Sequence, residues 1–160
     1  MATAFSTAEH KAAAAQYGNR FYAVILASLC VLFGLRVLGQ AIQRWAPLPF
    51  LPSFDALQGS DLPYGLLLPT QLVLMALMIG VTSRVSWGAL RKSARAARML
   101  GVCGAIYMAG SIARIAVALT LSEPPAWFAD WIAAVFHIAL AAFGLTLAAY
   151  HAAQDREVSS

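Results

Sequence analysis

Arg36, Gln71, Arg114 and His137 are the residues least at home among their neighbours, because each interrupts a long apolar run. Two guanidiniums, an imidazole and a carboxamide brought together make a cationic, donor-rich site. Such a site suits an anion, since the planar fork of arginine matches phosphate or carboxylate oxygens bidentately. Helical spacing adds two more residues. Arg36, Gln40 and Gln43 fall at i, i+4 and i+7, and Cys103, Tyr107, Gly110 and Arg114 form a similar stripe. His137 shares a face with Asp130, Ala141 and Gly144. The expected ligand-binding set is therefore Arg36, Gln40, Gln71, Tyr107, Arg114 and His137, with apolar walls around it. Its expected ligand is an amphiphile with an anionic or strongly accepting head: a phospholipid, an isoprenoid phosphate, a fatty acid or a quinone.

Each residue also has a plainer reading. Long arginine side chains near a helix end can snorkel to the interface, and Gln40 and Gln71 can serve as interhelical hydrogen-bond glue. Asp130 or Glu123 can pair with an arginine and neutralise the set. Against snorkelling, side chains tilt toward the N-terminus of their helix, which for Arg36 and Arg114 points away from the nearer membrane face.

Other chemistries fit less well. His10 and His151 lie far from the depth of His137, the latter about 20 Å away at helical rise, so a bis-histidine haem is not expected. Carboxylates are missing from the centres of the apolar runs, which argues against a metal site and a proton-coupled transporter. No glycine-rich phosphate loop occurs. Cys30 and Cys103 lack metal-ligand spacing and read as buried free thiols. His137 is the one candidate acid or base, and no nucleophile with a positioned base accompanies it.

The elements that must hold these residues follow from composition. Of 160 residues, 61% are hydrophobic and 11% charged, well below the roughly 25% charged of soluble domains. Four apolar runs, about 21–43, 63–83, 99–121 and 127–150, each approach the ~20 residues that cross the hydrocarbon core as a helix. The expected fold is an all-α membrane protein, a four-helix up-down-up-down bundle at 21–150. It is preceded by a cytoplasmic or interfacial segment at 1–20 and followed by a tail at 151–160. The first run exceeds the 7–15 apolar residues of a signal peptide and lacks a cleavage site, so it is kept as a span.

Cations orient the bundle. Lys11, Arg20, Arg84, Arg91, Lys92, Arg95, Arg98 and Arg156 fall at one end and Arg44 alone at the other. The positive-inside rule then places both termini in the cytoplasm of a bacterial-type inner membrane. The formal +4 charge is topological on this reading and calls for no nucleic acid.

Two segments suggest further roles. "APLPFLPSFDALQGSDLPYG" reads as an ordered lid, with Phe54, Asp55 and Tyr64 its candidate contact residues, or as an interfacial belt. Gly101, Ala105, Ala109 and Ala113 repeat every four residues, a spacing that lets another helix approach closely, whether a neighbour, a second copy or a partner subunit. Three functions remain open: a binder of an anionic or quinone-like amphiphile in an outer-half pocket, an accessory subunit of a larger membrane complex, and a lipid-modifying enzyme centred on His137. No cofactor is expected beyond a bound lipid or quinone.

Overall fold

The computed structural model describes residues 2–59, 62–121 and 131–158. In chain order the helices are α1 (Ala2–Trp45), α2 (Phe54–Gln58), α3 (Tyr64–Ser86), α4 (Ala94–Thr120) and α5 (Trp131–Val158). Four segments are long and apolar enough to cross a membrane: Gln16–Trp45, Tyr64–Ser86, Ala94–Thr120 and Ile132–Ala153. Large apolar side chains such as Val24, Val31, Leu35, Leu66, Val73 and Ile106 are exposed on their outer faces. A helix apolar on its outer as well as its inner face belongs in lipid.

Local signals set the boundaries. No proline lies between the alanine-rich lead-in and the first span, and the helix runs through Gly18 and Asn19, so α1 is one continuous rod of 44 residues. At 1.5 Å per residue it is about 66 Å long, roughly twice the hydrocarbon core. The expected division near residue 20 therefore does not appear as a break in the helix. Pro63 caps the start of α3, and Ser93 caps α4 by accepting the Ala96 N–H at 3.4 Å. Between them Gly88 takes a φ of 65°, and a Cβ there would meet Asn19 Nδ2 at 3.0 Å, so the turn needs glycine.

The spans alternate in direction. Cys30 meets Thr82 across α1 and α3, Tyr22 meets Tyr150 across α1 and α5, and Gly104 approaches Leu145 across α4 and α5. The packed pairs are α3 on α1, α1 on α5 and α5 on α4. Among the described residues α3 and α4 form no comparable pair. The four helices thus make a curved row that leaves space between its two ends. A core of Leu26, Phe33, Met78, Val85, Phe143 and Tyr150 fills the seams around α1.

Two expectations change here. Only Gly101 of the four-residue stripe faces α5, where its Cβ would lie 3.9 Å from that of Ala148; Ala105, Ala109 and Ala113 are exposed. Gly104 makes the close approach instead, since a Cβ there would lie 3.0 Å from the Leu145 side chain. Cys103 is exposed, whereas Cys30 is buried. Pro124 and Pro125, which the sequence reads as stopping the third span, Trp127 and Phe128, which it reads as anchoring the fourth, and the expected arginine partners Glu123 and Asp130 lie outside the described residues.

Candidate functional site

The site begins with a one-turn helix. In "SFDALQG" Ser53 accepts the Ala56 N–H at 3.3 Å to start α2, and Gly59, at φ 59° and ψ 24°, ends it as a left-handed cap. So short a helix has little stability of its own. It is held by the polar stripe of α1. Arg36 Nη2 donates to the Leu57 carbonyl at 2.9 Å and to that of Gln58 at 3.2 Å. Gln40 Nε2 donates to the Leu57 carbonyl at 2.8 Å. These carbonyls belong to the last turn of α2, where intrahelical donors run out and a cation is favoured.

Gln43 secures the chain leading into α2. Its Nε2 donates to the carbonyls of Leu51 at 3.1 Å and Pro52 at 2.7 Å, while its Oε1 accepts the Leu48 N–H at 2.7 Å. Beyond α2 the Tyr64 ring meets Phe54 edge-on at 5.2 Å and Trp45 at 5.8 Å. Of the three candidate lid residues, Phe54 and Tyr64 thus form one aromatic cluster, and Asp55 is exposed in the first turn of α2.

Behind α2 lies a cavity of about 320 Å³. Gln58 and Gly59 at the end of α2 and Leu62 beyond it line one part, α1 supplies Phe33 and Arg36, and α3 supplies Leu67, Gln71 and Leu74. Tyr107 and Arg114 come from α4, and Phe136, His137 and Leu140 from α5. Five of the six expected ligand-binding residues line one cavity. Gln40 does not; it is fully buried and is used on the Leu57 carbonyl.

The polar atoms around the cavity divide into engaged and waiting. The Arg36 guanidinium lies 5.5 Å from the Phe136 ring centroid, a cation–π distance. Tyr107 meets the His137 ring edge-on at 5.7 Å, and His137 Nδ1 lies 2.7 Å from the Ala133 carbonyl. That contact makes Nδ1 the donor and leaves Nε2 an acceptor whenever the ring is neutral. By contrast, Arg36 Nε and both polar atoms of the Gln71 carboxamide are buried without a protein hydrogen-bond partner. Gln71 is only 5% exposed. Buried polar groups are normally paired, and leaving one unpaired costs about 1–3 kcal/mol.

Among the described residues the lining holds two guanidiniums and no carboxylate, together with apolar side chains. Among the described residues no cluster of histidine, cysteine, aspartate or glutamate has the makings of a metal site. Sequence reasoning missed Phe136, which looks like any other apolar residue of its run, and the α2 carbonyls, which carry no side-chain signal. It also passed over the caps Ser53 and Gly59, which are legible in "SFDALQG". Comparison of the chain with protein-family models, with curated proteins and with solved structures finds no match.

Proposed function

We propose that this chain is a multi-pass protein of a bacterial-type inner membrane that binds an amphiphile with an anionic or strongly accepting head in the cavity beneath α2. The observation that carries this reading is Gln71: a carboxamide 5% exposed, lining a cavity between membrane spans, with neither polar atom bonded to protein. A group whose only role was to glue helices together would be engaged with one of them. The guanidinium of Arg36 and that of Arg114 supply the positive field, and the leucines and Phe136 suit the first carbons of a chain. The asymmetry of the basic residues supports cytoplasmic termini, which puts the cavity in the outer half of the membrane.

Gentle extraction followed by mass spectrometry of co-purified lipid tests the reading. One amphiphile enriched well above its membrane abundance is expected, and it is lost in Arg114→Ala protein that remains folded. A co-purified profile equal to that of the bulk membrane overturns the reading.

A second reading, an accessory subunit, rests on the exposed Ala105, Ala109 and Ala113. Small side chains on a lipid-facing surface let a partner helix approach closely. A larger assembly on native gels that Ala109→Leu dissolves is the expected sign of that role.

A further inference from the structure

The cavity beneath α2 meets a second one of about 250 Å³, and the two share Tyr107, Arg114 and His137 as a common wall. The second is completed by Ile106, Gly110 and Ser111 of α4. Successive helical residues turn by about 100°, so Tyr107 and Arg114 point nearly the same way. Gly110 and then Ile106 lie progressively further round α4, on the opposite side from Gly104, which faces α5. Ile106 is 69% exposed, and a Cβ added to Gly110 would meet nothing within 4 Å. The second cavity therefore carries the first out onto the lipid-facing surface of α4, on the side where α3 and α4 do not pack together.

The head site has its own chemical demand. Gln71 Nε2 and Arg36 Nε both need acceptors, while Gln71 Oε1 needs a donor. A phosphate monoester carrying one proton offers acceptor oxygens and a P–OH donor on the same small group. A quinone or a carboxylate offers acceptors alone.

We infer that the ligand is a single-chain phosphate monoester that enters sideways from the membrane between α3 and α4. Its phosphate reaches Arg36 and Gln71, and its chain lies over Gly110 and Ile106. This deepens the amphiphile reading and rests on it. Lateral entry fits a water-insoluble ligand, because the second cavity reaches the exposed face of α4 at Ile106.

The probe is hexadecyl phosphate with a photoreactive diazirine in its chain, added to the full-length protein in nanodiscs of zwitterionic lipid. Crosslinks are expected within 106–111, and butyl phosphate, a head without a long chain, is expected to suppress them. Gly110→Trp fills the opening and is expected to cut labelling there at least tenfold. Gly80→Trp, on the open face of α3 where a Cβ also meets nothing within 4 Å, leaves labelling unchanged. Labelling that butyl phosphate suppresses but that falls in the groove lined by Ala27, Val31 and Ile79 overturns the chain's route and leaves the head site standing. Stronger suppression by hexanoate or a short-chain quinone than by butyl phosphate overturns the phosphate assignment. Labelling that no head group suppresses and that Gln71→Leu leaves unchanged overturns the amphiphile reading itself.

Discussion

The four spans treat their buried polar groups differently at their α2 end and at the end away from it. At the end away from α2, Tyr150 is 1% exposed and its hydroxyl donates to the Leu90 carbonyl at 3.0 Å. The backbone N–H of Ser93 donates to His151 Nδ1 at 3.2 Å, and the Lys92 ammonium sits 5.3 Å from the centre of the Tyr150 ring. Leu26 and Val85, in the same core cluster, are fully buried. At the α2 end, Arg36 Nε, Gln40 Oε1, the Tyr64 hydroxyl and both ends of Gln71 are buried without a protein partner. Among the described residues no such atom lies at the Tyr150 end. Both ends bond polar side chains to backbone, but only the α2 end also buries polar atoms without a protein partner, and two of the residues that carry them, Arg36 and Gln71, line the cavity. Buried polar atoms without partners cost stability rather than add to it, so the difference marks the α2 end as the candidate site.

Substitutions at each end can break or sharpen that contrast. The largest expected effect is at Arg36, which both clamps α2 and lines the cavity. Losing hydrogen bonds from a charged donor weakens the docking of α2 by about 1.5–3 kcal/mol. Arg36→Ala is therefore expected to speed amide exchange at Ala56–Gly59 roughly ten- to hundredfold, with little change at Leu90–Ser93. Equal acceleration at both ends would mean that the arginine serves the whole fold.

Gly104→Ala is expected to cost about 1–3 kcal/mol in thermal or denaturant unfolding in detergent, because its Cβ would crowd Leu145. Tyr150→Phe removes one buried hydrogen bond and is expected to cost about 1 kcal/mol, with bound lipid unaffected. Gly101→Ala should have the opposite sign to Gly104→Ala. Its Cβ would meet that of Ala148 at an ordinary 3.9 Å, so helix propensity leaves a gain of at most about 1 kcal/mol. If both glycine variants destabilise equally, the seam is not where Gly104 places it.

The sequence revealed the site better than the seams. A charge or carboxamide inside an apolar run is expensive in lipid, and counting residues at helical rise puts Arg36, Gln71, Arg114 and His137 at one depth. Both facts are local, and the five expected residues that line the cavity include all four. Gln40 shares the stripe of Arg36 yet serves the Leu57 carbonyl, because its use depends on where a loop returns in space. The same limit explains α4. Spacing identifies Gly101, Ala105, Ala109 and Ala113 as small, but the side of the helix that faces α5 is set by packing, and that side carries Gly104. Phe136 became part of the site only when α1 brought Arg36 over its ring.

Gln71→Leu, followed by native mass spectrometry of variant and wild-type protein taken from the same membranes, tests the central claim most directly. Leucine nearly matches the shape of the carboxamide and removes both unpaired atoms, so the variant should fold as stably as the wild type or more so. The expected result is a one-to-one adduct of a phosphorus-containing amphiphile on the wild type that falls at least tenfold in the variant. A wild type without any enriched adduct, or an adduct of equal occupancy on both proteins, would contradict it.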